Sequence, residues 1–239
     1  MTRVSTLELN LASRNVLVVA AHADDEVLGC GGTIAMHVAR GDVVVVHILS
    51  VSDGSRSDEG QLGPESRRVS AHSAAAILGV STLIVDNLPD NRFDSVSRLE
   101  IVQRIEQTVA AHRPTIMYTH SMSDLNADHC TTAEASITAA RPYPGQSVEE
   151  ILSFEVRSST DWAEASGHSE GFNPNCWVTL SDDAVEHKLT ALGAYNQEMR
   201  VFPHARSPQA ISAQLVYRGS QVGWDAAEAF RTLRRIVPH

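Results

Sequence analysis

Val16-Leu17-Val18-Val19-Ala20-Ala21 is an unbroken apolar run, rich in β-branched residues and ended by polar ones. A strand with one wet face alternates, whereas one covered on both faces does not; this run reads as a buried strand of a parallel sheet. Outward from it, Leu28–Arg40 reads as a helix closed by Gly41, where a left-handed cap is common. Val43–Leu49 (VVVVHIL) is a second buried strand, Pro64–Leu78 a helix ending at Gly79, and Thr82–Val85 a third strand. A helix over Val96–His112 stops before Pro114, and Thr115–Tyr118 supplies a fourth strand. Beyond Ala140 strands are expected at Ile151–Val156 and Cys176–Leu180, with helices at Asp182–Arg200, 208–218 and 225–235. The βαβα alternation predicts an α/β fold, a mostly parallel Rossmann-like sheet with helices on both faces. No repeat, linker or composition break divides it, so residues 1–239 read as a single domain.

Composition bounds the function classes. Nineteen Lys and Arg face 29 Asp and Glu, a net charge of −10, which disfavours nucleic acid or an anionic membrane as partner. No apolar run reaches the roughly 18 residues of a membrane span. Met1–Asn15 mixes charge and polarity without an apolar signal core, and the three cysteines are far apart in sequence. Both features predict a cytoplasmic protein without disulfides. Eleven histidines raise the question of where imidazoles gather.

They gather at strand ends. Directly after the first strand stands His22-Ala23-Asp24-Asp25-Glu26, and beyond the fourth His120-Ser121-Met122-Ser123-Asp124-Leu125-Asn126-Ala127-Asp128-His129. Ligands of open α/β sheets bind beyond the carboxyl ends of the strands. Consecutive carboxylates there are costly unless a cation or several donors offset them. Imidazoles plus one carboxylate make a three-ligand site with an open position, which suits catalytic Zn²⁺.

AHADDE (21–26), followed by Gly29-Cys30-Gly31-Gly32, resembles the (A/P)HPDDE motif of the PIG-L (LmbE-like) zinc-dependent N-acetylglucosaminyl deacetylase family. Asn126-Ala127-Asp128-His129 is similar to that family's HPDH-type motif, and the likeness runs from about Asn15 to Arg235. The resemblance implies a hydrolase that removes an acyl group, usually acetyl, from the nitrogen of an amino sugar. It implies Zn²⁺ held by His22, Asp25 and His129, with Asp24 as general base. Asp128 is expected to orient a ligand histidine, and Gly31 and Gly32 to let the following helix approach the strand end. An arginine near Arg67 and Arg68 is implied to contact the sugar, and Asp90 to accept its hydroxyl hydrogen bonds.

Two departures matter. Ala23 replaces a proline, and Asn126 stands where many members carry a histidine that stabilises the oxyanion. An amide donates a hydrogen bond but carries no proton, so His120 and His204 become candidates for that task. The substrate is then a small N-acylated sugar or its conjugate, and a homo-oligomer is compatible with the reading. The runner-up is an amidase that cuts a larger acyl group. A phospho-acceptor domain is disfavoured because no lysine ends a fifth strand, and a dinucleotide-binding turn would need glycine where Ile34 stands. Arg67, Arg68, Arg92 and Arg206 leave room for an anionic substrate.

Overall fold

In a computed structural model of the chain, residues 13–52, 63–166 and 171–237 are described. Strand β1 (Asn15–His22) leads through α1 (Asp25–Ala39) to β2 (Val43–Ser50). Helix α2 (Pro64–Leu78), strand β3 (Thr82–Val85), helix α3 (Arg98–His112), strand β4 (Ile116–His120) and helix α4 (Ala127–Ala139) follow. Strand β5 (Glu150–Phe154), strand β6 (Cys176–Thr179), helices α5 (Asp182–Gly193) and α6 (Pro208–Ser220), and strand β7 (Ala227–Arg235) complete it. The strands form one sheet in the order β3-β2-β1-β4-β5-β7-β6. The first five in that order pair in parallel, and β7 runs antiparallel to both its neighbours.

The apolar run of β1 explains itself in this frame. Val16, Val18 and Ala20 enter one core with residues of α1, α2, α5 and α6, while Leu17, Val19 and Ala21 enter another with α3 and α4. Side chains alternate between faces, and both faces are covered. From β1 the order runs to β2 and β3 on one side and to β4 and β5 on the other. The carboxyl ends of β1 and β4 therefore flank the switch point where such sheets bind ligands.

Several expectations shift. The segment read as a helix over 225–235 is strand β7. Ala, Glu, Leu and Arg favour helix locally, but Ala227–Phe230 are buried between β5 and β6, and pairing on both edges overrides that preference. Helix α5 ends at Gly193 rather than Arg200; the chain then turns, and the Tyr195 hydroxyl donates to Glu26 Oε1 at 2.6 Å. Helix α1 starts three residues early, placing Asp25 and Glu26 in its first turn. Strand β4 runs on to His120. The polar loop over Ser50–Gly63, a candidate lid by its length, lies mostly outside the described residues. A Cβ on Gly29 would lie 2.3 Å from the Phe154 ring and one on Gly32 2.5 Å from Leu180, so the close approach of α1 to the sheet depends on these glycines.

Candidate active site

The turn after β1 is tight. Asp24 adopts φ 101°, a left-handed conformation that favours glycine and that Asp and Asn tolerate better than most residues. Its N–H donates to Glu26 Oε2 at 3.1 Å, and its carbonyl accepts from Val27 and Leu28. The turn puts His22 and Asp25 side by side, with His22 N–H donating to Asp25 Oδ2 at 2.9 Å.

Helix α4 brings His129 to the same carboxylate. Asp25 Oδ2 lies 3.3 Å from His22 Nδ1 and 3.2 Å from His129 Nε2, and Asp25 Oδ1 is buried without a partner among the described residues. One donor atom from each of His22, Asp25 and His129 falls within 4.8 Å of the others. The second nitrogen of each imidazole is held from behind by a carboxylate. His22 Nε2 meets Asp128 Oδ2 at 3.0 Å, and Asp128 Oδ1 accepts from Phe93 N–H at 3.0 Å. His129 Nδ1 meets Asp124 Oδ2 at 3.2 Å. Asp124 in turn accepts from Ser159 Oγ, Thr160 Oγ1 and Asn126 N–H. Carboxylates behind ligand histidines fix ring orientation and raise ligand basicity, the usual outer shell of a metal site. The orphaned Asp25 oxygen and the mixed imidazole–carboxylate donors fit a divalent cation with a position left open.

The electrostatics agree. Burial opposes the charge on His129, but Asp25 and Asp124 outweigh it and raise the imidazole to about 9. Burial also opposes ionisation of Asp124, yet the contact with His129 and the two hydroxyls hold it at about 2. Desolvation opposes the charge on the half-buried His22, yet Asp128, Asp25 and Asp90 raise it well above its ordinary value. Rings that bind protons this avidly sit in a field that a cation would satisfy equally well. Asp24 differs. Burial pushes it up to about 7 despite the Arg206 guanidinium, whose Nη1 donates to Asp24 Oδ2 at 2.8 Å.

The remaining candidates divide. Asp90 joins the cluster, its Oδ1 3.2 Å from His22 Nε2 and its Oδ2 3.5 Å from Arg67 Nη1. Arg67 also faces Glu198 at 3.6 Å, a partner supplied by the turn after α5. Arg68 bonds instead to Asn87 Oδ1 and the Val85 carbonyl. Asn126 is the N-cap of α4: its Oδ1 accepts from Asp128 N–H at 2.8 Å while its amide nitrogen reaches Asn91. His120 is fully buried, stacked on His129 at 4.0 Å, and its Nε2 accepts from Ala21 N–H. Burial and the neighbouring His129 hold His120 neutral, at about 3, against Asp25 and Asp124. Its Nε2 lone pair is thus taken by the Ala21 backbone amide. His204 accepts from Arg206 N–H and meets the edge of Trp162; no contact joins it to His22, Asp25 or His129 among the described residues. Asp124, Ser159 and Thr160 carry weight that no local pattern announced.

Comparison with known proteins places this site in company. The family model described as GlcNAc-PI de-N-acetylase (PIG-L) matches residues 17–140, which include His22, Asp25 and His129. An uncharacterized deacetylase of Escherichia coli is 28% identical over 186 residues, 75% of this chain and 89% of the relative. A 4-oxalmesaconate hydratase of Pseudomonas putida is 32% identical over 139 residues, 52% of this chain and 51% of the hydratase. The N,N'-diacetylchitobiose deacetylase of Pyrococcus horikoshii shares the fold, with a TM-score of 0.74 at 20% identity over 93% of this chain and 85% of that one.

Proposed function

The chain belongs to the PIG-L family of de-N-acetylases, and we propose that it is a zinc-dependent hydrolase that removes the acetyl group from an N-acetylated amino sugar or its conjugate. One observation carries the reading. Two imidazoles and one carboxylate converge at the switch point, each imidazole is backed by its own aspartate, and Asp24 stands beside them outside the donor set.

His22, Asp25 and His129 would hold the zinc ion. When bound, it supplies a Lewis acid that acidifies water to a pKa of about 7 and polarises the amide carbonyl. The side chains of this chain do the rest. Asp24 takes the proton of the attacking water and returns it to the departing amine nitrogen, the two-way transfer expected of a base poised near neutrality. Asp128 and Asp124 keep the two imidazoles from rotating. Asp90 and Arg67, paired at the edge of the cluster, offer an acceptor and a donor set to sugar hydroxyls. No helix among the described residues is long and apolar enough to cross a membrane.

Purified protein tested for metal content and for acetate release across a panel of N-acetylated amino sugars decides the matter. Stoichiometric zinc together with acetate from at least one sugar supports the reading; neither sinks it. The hydratase relative motivates one control, since a substrate that gains the mass of water while keeping its carbon–nitrogen bonds would mark hydration instead. Release of a longer acid without acetate would favour the larger-acyl amidase. His129→Ala is expected to lose both zinc and turnover, read by metal analysis of the dialysed variant. A subtler loss is expected from the backing carboxylates: Asp128→Asn or Asp124→Asn should weaken zinc by about 10–100-fold, measured by competition with a chromophoric chelator. Wild-type affinity in both variants would remove the backing role.

A further inference from the structure

We propose that Arg206 is the positioning residue for the Asp24 carboxylate, a guanidinium delivered from the far end of the chain to aim the base. The inference rests on the reading of Asp24 as proton acceptor.

Asp24 occupies the N-cap of α1 but makes no side-chain cap hydrogen bond. An aspartate there ordinarily spends its carboxylate on the first free N–H groups of the helix. Here Val27 N–H bonds to the Asp24 carbonyl instead, and Oδ2 is taken by Arg206 Nη1 at 2.8 Å. The backbone of Asp24 is pinned separately, through Glu26 and the amides of Val27 and Leu28. Its side-chain setting is therefore the one freedom left, and Arg206 removes it.

Arg206 is itself anchored. Its Nε donates to Ser158 Oγ at 2.8 Å, its N–H to His204 Nδ1 at 3.0 Å, and its carbonyl accepts from Arg200 N–H at 3.3 Å. The next residue, Ser207, caps α6 through the Ala210 amide. The loop thus has backbone and capping bonds of its own that survive loss of the guanidinium. A planar fork holds two partners in fixed directions, which a lysine ammonium does not. The geometry also argues against a plain anion-binding role, because the charge aimed into the site is already countered by Asp24.

The test compares full-length zinc-loaded Arg206→Ala and Arg206→Lys with wild type. Misplacement of a reacting group by an ångström costs up to about 100-fold. For Arg206→Ala we expect kcat to fall roughly 10–100-fold with KM and zinc content unchanged, and Arg206→Lys to recover part of the loss. Added guanidinium chloride, below denaturing concentration, should restore part of the activity of Arg206→Ala. In an Asp24→Asn background, Arg206→Ala should cost nothing further. A raised KM with kcat intact overturns the proposal in favour of substrate binding, and a full loss on top of Asp24→Asn overturns it as well. Thermal unfolding of the four proteins of the Asp24→Ala/Arg206→Ala cycle, in which each single variant removes the contact, gives a readout that needs no substrate. Non-additive shifts confirm the pair and additive shifts refute it, even where no acetate is released and the proposed function itself has failed. If Arg206→Ala does not fold, Arg206→Lys carries the same cycle.

Discussion

Asp24→Asn is expected to lower acetate release by about 10²–10⁴-fold, the span of general acid–base catalysis, while the protein keeps its zinc. The two halves of that result have separate causes. Zinc stays because, on the proposed reading, its donor atoms come from His22, Asp25 and His129, and Asp24 is not among that group. Turnover falls because an amide cannot accept a proton at neutral pH. The substitution also suits the backbone of the turn. Asparagine tolerates the left-handed backbone that Asp24 adopts at φ 101°, and the carboxylate caps nothing that asparagine would uncap. An amide oxygen can still accept from Arg206, though without the charge. Metal analysis alongside steady-state kinetics checks both halves. Acetate release at the wild-type rate would mean that the proton goes elsewhere, and loss of zinc would make Asp24 a ligand.

The parts of this site that are legible in the sequence are those built from neighbours in the chain. His22 and Asp25 leave one turn, and Asp128 and His129 share another, so two short strings already announced imidazoles and carboxylates at the ends of two buried strands. Strand ends could be placed because β1 and β2 are covered on both faces and read as continuous apolar runs. What closes over the site was not legible. Arg206 lies 182 positions from Asp24, and Ser159 and Thr160 lie 35 and 36 from Asp124; each contact exists only once the sheet has formed. Asn126 shows two rules meeting at one residue: the motif assigns its position to oxyanion chemistry, and the local rule that Asn caps helices accounts for its Oδ1. Strand β7 failed for a related reason, since residues with helical preference were recruited into a central strand by neighbours on both edges.

Lys188→Ala is expected to destabilise the fold by about 3–5 kcal/mol, the cost of leaving a buried charge without its partner. At 2–4 °C per kcal/mol for a chain of this size, the melting temperature should fall by roughly 6–20 °C. The reason lies in α1, whose backbone leaves helical geometry at Cys30 (φ −147°, ψ 25°). In an unbroken helix the Gly32 N–H would bond to the Leu28 carbonyl. Here Glu228 accepts from Gly32 N–H at 3.0 Å and Thr33 N–H at 2.7 Å, while Lys188 Nζ donates to the Leu28 carbonyl at 2.8 Å. The two side chains meet at 2.6 Å and are 1% and 3% exposed. An ion pair from α5 and β7 is thus spliced into the ladder of α1, one end satisfying the freed carbonyl and the other the freed amides. Removing Lys188 strands the Glu228 carboxylate and orphans Leu28 O together. The double variant Lys188→Met/Glu228→Gln should therefore be less damaged than the two single losses added, because a neutral amide can still accept from Gly32 and Thr33 and no charge is left buried. A melting point within about 2 °C of wild type for Lys188→Ala, below one kcal/mol by the same conversion, would show that packing at Gly29 and Gly32 alone holds the break open. The splice matters for the site because the turn upstream of the break carries Asp25 and Glu26. The pair braces the helix just downstream of that turn, so zinc affinity should decline in parallel with stability in Lys188→Ala.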